Sequence, residues 1–140
     1  MHTLPEMMLL GFAAWTLLLL LATVGTYRFS RIFSGRAGMA SFPAERIEGQ
    51  GWYARAMRAH ANCIENLPVF GALVYAVRAC GVEHPAVGPL CVAVLAARVA
   101  QSLVHVSLEQ TDRVVSVRFT FYFVQFLCFG ALIALLVLHR

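Results

Sequence analysis

The chain has 140 residues, of which 60% are hydrophobic and 13% are charged, and its formal net charge is +4. A soluble domain of this size carries about a quarter of its residues as charged ones, so the composition excludes a water-soluble globular protein. Apart from histidine, the basic residues are all arginine, and they form no basic run or basic-aromatic module, which excludes nucleic-acid binding. We therefore expect an integral membrane protein in contact with lipid.

The first apolar run follows the opening MHTLPEMMLL and indicates a helix at about residues 7–28. We expect this helix to remain in the protein, because the opening has neither the basic segment nor the cleavage site of a signal peptide. Further apolar stretches predict helices at about residues 53–80, 87–108 and 116–138. Each is long enough to cross the hydrocarbon core of a bilayer. The predicted fold class is all-α, an integral membrane four-helix bundle that forms one domain over residues 1–140.

The connections between these helices predict a compact bundle with two different sides. The first loop, residues 28–52, is the longest and the most polar, whereas the second and third loops are short, so neighbouring helices should be antiparallel. Arginines concentrate around the first and third loops, while only Arg78 and Arg140 flank the opposite side. By the positive-inside rule, we expect the first and third loops to be cytosolic.

The four cysteines all lie in apolar stretches, and none belongs to a CxxC pair. They are Cys63, Cys80, Cys91 and Cys128. We interpret them as small buried apolar residues. Their pattern indicates neither a disulfide framework nor a metal site.

Polar side chains recur at helical spacing within three of the predicted spans. They are Arg55, Arg58, Asn62 and Glu65 in the second helix, Arg98, Gln101 or Ser102, and His105 in the third, and Arg118, Tyr122 and Gln125 in the fourth. Residues three or four apart lie on the same face of a helix, so each set forms a stripe. Ionisable residues inside a span are costly and are candidates for a functional site.

The three stripes lie at a similar depth, in the cytosolic halves of their helices. We therefore expect a polar cavity that opens to the cytosolic side, with more arginines than carboxylates, which favours an anionic guest. His105 points with its stripe and is a better acid-base candidate than His60, which is rotated away from Arg58 and Asn62. The alternative is a purely structural network, in which Arg58, Glu65 and Arg98 neutralise one another within the bundle.

The segment RAHANCIENLP, from Arg58 to Pro68, resembles the signature of the MAPEG family, the membrane-associated proteins in eicosanoid and glutathione metabolism. The resemblance extends over the whole chain, with four spans, a longer first loop, the sequence RVA at Arg98 and an arginine that opens the fourth helix. The amino-acid sequences of these segments are most similar to those of the bacterial branch and of the microsomal glutathione transferases. The resemblance therefore implies a multi-pass protein of a bacterial inner membrane.

The resemblance also implies a homotrimer that binds glutathione between its protomers, in the cytosolic half. Arg58, Asn62 and Glu65 match the glutathione-contacting positions of the second helix, and Arg118 matches the arginine that stabilises the glutathione thiolate. Either Arg28 or Arg31 matches an arginine of the first helix that contacts the peptide. The remaining candidates for glutathione binding, taken from the stripes, are Arg98, His105 and Tyr122.

The sequence is consistent with two functions. One is a glutathione-dependent transferase or peroxidase that acts on small apolar electrophiles. The other is a non-catalytic membrane protein with the same fold that binds a lipid or a partner. The sequence departs from the eicosanoid-producing members, because Ala61 replaces an arginine, the tyrosines of the third helix are missing near His105, and the third loop is longer.

Overall fold

A computed structural model of the chain describes residues 3–42 and 51–138. These residues form four long helices and no strand, which confirms the predicted all-α fold. The helices occupy Leu4–Phe33, Gly51–Ala79, Val87–Ser107 and Asp112–Leu138. The predicted long loop includes residues 43–50, which lie outside the described part of the chain.

The first helix extends beyond the predicted bounds of 7–28 at both ends. It begins at Leu4 because Thr3 forms a capping box with Glu6, whose carboxylate accepts the Thr3 backbone N–H at 2.8 Å. Its middle, Leu20–Gly25, is a π-helical segment that the sequence did not indicate, and an α-helix then continues over Thr26–Phe33. Such wide turns are rare in helices and change which residues share a face.

The fourth helix also begins earlier than predicted, at Asp112 rather than near residue 116. The Thr111 hydroxyl accepts the backbone N–H of Val114 at 3.3 Å and so caps the first turn. Asp112 places a negative charge at the positive end of the helix dipole. These polar residues, which look like loop in the sequence, are therefore the start of the helix.

Three of the four helices, Leu4–Phe33, Val87–Ser107 and Asp112–Leu138, are long and apolar enough to cross a membrane. The second helix has 29 residues. At 1.5 Å per residue it is about 43 Å long, which is sufficient to span a bilayer. Its polar stripe makes it less apolar than the others, so its membrane crossing stays a prediction.

The third helix lies at the centre of the bundle and packs against each of the other three, most extensively against the fourth. The main core contains Phe12, Phe70 and Phe129, whose ring centroids are 5.7 and 6.2 Å apart in successive pairs. Val94 and Leu132 are completely buried beside them. This apolar core fills the half of the bundle that contains the start of the first helix.

The prediction that all four cysteines are buried is wrong for one of them. Cys80 follows directly after the second helix, which ends at Ala79, and it is exposed, whereas Cys63, Cys91 and Cys128 are buried. The chain turns immediately after it, at Gly81, whose φ of +63° is accessible to glycine at little cost. A side chain at the point where the chain leaves the bundle has no neighbouring helix to cover it.

Candidate functional site

A cavity of about 240 Å³ lies at the end of the bundle opposite the phenylalanine core. We call it the arginine cavity, and its lining consists of Gly51, Ala54, Arg55, Arg58, His105, Gln110 and Arg118. The second helix, the third helix, the loop after it and the fourth helix all contribute to this wall. None of these lining residues is acidic. The described lining is therefore strongly positive.

The cavity brings together three of the candidate catalytic and glutathione-binding residues, namely Arg58, His105 and Arg118. The charges of Arg58 and Arg118 lie within electrostatic range of the His105 ring and of each other. Positive groups at this separation repel one another, and inside a membrane protein the repulsion is screened less than in water. Their proximity makes this end of the bundle strongly positive, which would favour a negatively charged guest.

Asn62 connects the second helix to this cavity. Its amide nitrogen, Nδ2, lies 3.3 Å from Nε2 of His105. Because an amide NH₂ group only donates, Nε2 accepts this hydrogen bond and the neutral ring carries its proton on Nδ1. The bond therefore fixes both the tautomer and the orientation of His105.

Several buried donors around the cavity have no acceptor in the described part of the chain. They are Nδ1 of His105, Nε of Arg118 and Nε of Arg55. His105 is only 4% exposed, so water does not reach its ring freely. Buried donors are nearly always hydrogen-bonded in folded proteins, and exceptions of this kind commonly mark a place for a ligand, ion or water. Three of them around one cavity would suit a ligand with several hydrogen-bond acceptors.

Arg98 lies deeper in the bundle than the arginine cavity and does not line it. It is 1% exposed, and its guanidinium lies over the Phe12 ring, 5.6 Å from the centroid. Two of its nitrogens, Nε and Nη2, have no hydrogen-bond partner among the described residues. Glu65 and Tyr122 lie within electrostatic range of this charge. Arg98 therefore combines a favourable cation–π contact with donors that the described residues leave unused.

Glu65 and Tyr122 lie on outer faces of the bundle, and Tyr122 is 45% exposed. Arg58 is also exposed on the single chain, although it lines the cavity. Consequently, part of the predicted stripe faces outward, where lipid or a neighbouring protomer would meet it. Arg55, which the sequence placed in the stripe but not among the candidate ligands, lines the cavity directly.

The two candidates of the first helix, Arg28 and Arg31, contact an aromatic cluster instead of the cavity. Arg28 donates from Nε to the Tyr53 hydroxyl at 2.8 Å, and Arg31 donates from Nη1 to the Tyr27 hydroxyl at 3.2 Å. The Tyr27 and Tyr53 rings are stacked with centroids 4.2 Å apart. Both arginines therefore lie at the same end of the bundle as the cavity, but outside its lining.

The helices and the polar site together define an integral membrane helical bundle with a cationic pocket near one end. The model of the MAPEG family matches residues 7–138, which is nearly the whole chain. The chain therefore belongs to the MAPEG family, the membrane-associated proteins in eicosanoid and glutathione metabolism. Neither a curated protein nor a solved structure matches the chain.

Proposed function

We propose that this protein is a glutathione-dependent transferase or peroxidase that acts on small apolar electrophiles. The observation that carries the proposal is the convergence of His105 Nδ1, Arg55 Nε and Arg118 Nε around one positive cavity, where none of these buried donors has an acceptor among the described residues. Membership of a family associated with glutathione supports the choice of ligand. Glutathione supplies two carboxylates for guanidinium groups and an ammonium that suits Glu65.

The proposed reaction begins at the glutathione sulfur. A free thiol has a pKa of about 8.5 and is mostly protonated at neutral pH, whereas the thiolate is the nucleophile. A guanidinium close to the sulfur favours the charged form, and Arg118 is the side chain proposed for this role. The thiolate attacks the electrophilic atom, a carbon–sulfur bond forms, and the leaving group departs with the electron pair. With a lipid hydroperoxide, the thiolate instead attacks the terminal peroxide oxygen and the O–O bond breaks. Glutathione is oxidised to its sulfenic acid, and the alkoxide takes a proton and leaves as the alcohol. A second glutathione then converts the sulfenic acid into glutathione disulfide and water.

The proposed assembly is a homotrimer in which glutathione lies between protomers. Arg58 and Glu65 are exposed on the single chain, although charged side chains in contact with lipid are unfavourable. A neighbouring copy would cover these residues, and the partially lined arginine cavity would gain a further wall. In this arrangement the site lies on the cytosolic side of a bacterial inner membrane, with the first and third loops in the cytosol.

The proposal can be tested by ultraviolet absorbance of the thiolate when glutathione is added to purified protein in mild detergent. We expect the wild type to produce a thiolate signal at neutral pH, and S-methylglutathione, which has no ionisable thiol, to produce none. Arg118→Leu should abolish the signal and lower conjugation of an aromatic halide by about a hundredfold, comparable to the loss of an oxyanion-stabilising group.

Arg113→Leu is the matched control, because Arg113 lies in the same helix, is exposed and is absent from the cavity lining. It should retain both the thiolate signal and the activity. A wild-type protein that neither binds glutathione nor forms its thiolate at millimolar concentration would contradict the proposal.

A second candidate function is a non-catalytic membrane protein that binds a lipid or a partner. The observation that favours it is that some polar groups already satisfy one another, as in the bond between Asn62 and His105 and in that between Gln125 and Gln101. In that case Glu65→Ala should disrupt assembly, detected by crosslinking, while glutathione shows no saturable binding to either protein. The glutathione proposal predicts weakened but measurable binding for the same variant.

A further inference from the structure

Two buried glutamines connect the third and fourth helices beside the arginine cavity. Gln125 is completely buried and Gln101 is 4% exposed. The Gln125 amide donates from Nε2 to Oε1 of Gln101 at 3.2 Å and to the backbone carbonyl of Phe121 at 3.0 Å. Gln101 donates in turn from its own Nε2 to the backbone carbonyl of Arg118 at 3.1 Å. The pair therefore forms a continuous chain of hydrogen bonds that ends on the backbone of Arg118.

The bond to the Arg118 carbonyl comes from a different helix, and this distinguishes it from the other bonds of that backbone. A carbonyl oxygen has two lone pairs, so the carbonyl can accept Gln101 in addition to the ordinary hydrogen bond of its own helix. Lipid offers no substitute partner for a buried amide, which favours retention of the bond. Sliding or rotation of the fourth helix against the third would break it. The bond therefore fixes the register of the two helices at Arg118.

The Arg118 side chain has no comparable support of its own. Its Nε is buried without a partner, and within residues 3–42 and 51–138 no side chain forms a hydrogen bond with its guanidinium. The position of the guanidinium in the cavity consequently depends on the backbone that carries it and on the rotamer of the side chain. A shift of the backbone by a fraction of an ångström is passed directly to the charged group.

We propose that Gln101 is a positioning residue that holds Arg118 at the place where the glutathione sulfur binds. This inference rests on the proposed function, because it assigns Gln101 to the same site. Gln125 acts one step further away: it orients the Gln101 amide by donating to its oxygen, so that the nitrogen of Gln101 faces the Arg118 carbonyl. Gln101 itself does not line the cavity and does not need to touch glutathione.

The test compares Gln101→Met with the wild type, since methionine has a similar length and volume but neither donates nor accepts this bond. We measure thiolate absorbance of bound glutathione across pH, glutathione affinity and resistance to unfolding. We expect the thiolate fraction at neutral pH to fall about threefold to tenfold, because small misplacement reduces the stabilisation of the sulfur charge. Glutathione affinity should fall by no more than the lost thiolate accounts for, and the affinity for S-methylglutathione, which has no ionisable thiol, should change by less than about twofold. Gln125→Met should produce a smaller loss of thiolate.

Thr16→Val is the control for loss of a buried hydrogen bond in general. The Thr16 hydroxyl is buried and donates to the Phe12 carbonyl of its own helix at 2.9 Å, so this hydrogen bond does not involve the fourth helix. It should leave the thiolate fraction unchanged. An equal loss of thiolate in Thr16→Val and Gln101→Met, or a wild-type thiolate fraction in Gln101→Met, would overturn the positioning role.

If Gln101→Met does not fold, Gln101→Asn provides the same test, because asparagine keeps a polar amide but is one methylene too short to reach the Arg118 carbonyl. We expect it to lower the thiolate fraction in the same way, and an unchanged fraction would overturn the inference. A wild-type protein without any thiolate signal overturns the proposed function and this inference together. A wild-type signal that persists in Gln101→Met and Gln101→Asn overturns the inference alone.

Discussion

The two halves of the bundle are built from different side chains and satisfy different requirements. In the apolar half, Phe12, Phe70 and Leu132 are completely buried, and their contacts consist of packing alone apart from the cation at Phe12. In the half that contains the arginine cavity, buried donors have no acceptor within residues 3–42 and 51–138. The phenylalanine core is packed within the described chain, and the only side-chain donors without a partner beside it belong to Trp15 and Arg98, whereas three such donors surround the arginine cavity.

This difference indicates which half suits an anionic ligand that is rich in hydrogen-bond acceptors. The phenylalanine core itself gains nothing from a polar ligand, because its hydrocarbon side chains are already in contact with one another. The arginine half holds three guanidinium groups and His105 around about 240 Å³ of space. A ligand rich in acceptors relieves both the charge repulsion and the missing hydrogen bonds. We therefore expect substitutions in the two halves to affect different measurements.

The largest effect on stability should come from Leu132→Ala in the apolar half. In water, such a substitution costs about 2 to 5 kcal/mol through lost transfer energy and the cavity left behind. In a membrane the transfer part largely disappears, because lipid is as apolar as leucine, so we expect about 2 kcal/mol from lost packing. The free energy of unfolding in mixed detergent micelles measures this, and glutathione affinity should remain within about twofold.

Leu127→Ala is the matched control for this prediction, because Leu127 belongs to the same helix and is 55% exposed. It should change the free energy of unfolding by less than about 0.5 kcal/mol in the monomeric chain. An equal loss for both variants would mean that packing against a second surface, absent from the single chain, matters as much as the core.

Arg58→Ala in the arginine half should lower glutathione affinity and leave stability nearly unchanged, which is the reverse of the effect expected for Leu132→Ala. A hydrogen bond to a charged group contributes about 1.5 to 3 kcal/mol, so we expect glutathione affinity to fall at least about tenfold. The free energy of unfolding should change little, because removal of one of several repelling cations offsets the loss of packing. Calorimetric titration with glutathione measures the affinity. Arg36→Ala, in an exposed loop, should bind normally.

The sequence predicted that polar side chains of different helices meet in the arginine half, but it did not predict the direction in which each side chain points. Spacing of three and four residues placed Arg58 and Asn62 on one side of the second helix, and the structure brings both beside His105. The spacing could not show how the stripe rotates. From Arg55 to Glu65 there are ten residues, and at about 100° per residue the two side chains end up about 80° apart. Arg55 therefore lines the cavity while Glu65 faces outward.

The same limit applies to the fourth helix and to the first. Tyr122 and Gln125 flank the direction of Arg118 on opposite sides, about 60° apart, and the packing of the third helix decides that Gln125 is buried and Tyr122 exposed.

The π-helical segment at Leu20–Gly25 has no recognisable sequence signal. It changes the register of Arg28 and Arg31 relative to the earlier turns, so periodicity alone could not choose between them.

A smaller effect is expected for Asn62→Leu, which removes the bond to His105 but preserves most of the volume. His105 would lose the partner that fixes its tautomer, and its ring could then present either nitrogen to the cavity. We expect glutathione affinity to fall about threefold to tenfold, in line with one ordinary hydrogen bond. Asn66→Leu, one turn later, should have a weaker effect, because Asn66 donates to the Asn62 backbone carbonyl and does not contact His105.

The smallest effect should come from Tyr53→Phe, at the boundary between the arginine half and the aromatic cluster. The substitution keeps the stacked ring and removes only the hydroxyl that accepts Arg28 at 2.8 Å. We expect a loss of about 0.5 to 1.5 kcal/mol in the free energy of unfolding, since a half-buried cation loses one acceptor. Glutathione affinity distinguishes two roles for Arg28. If Arg28 only anchors the first helix to the second, affinity is unchanged. If Arg28 also reaches glutathione, its release from Tyr53 increases affinity.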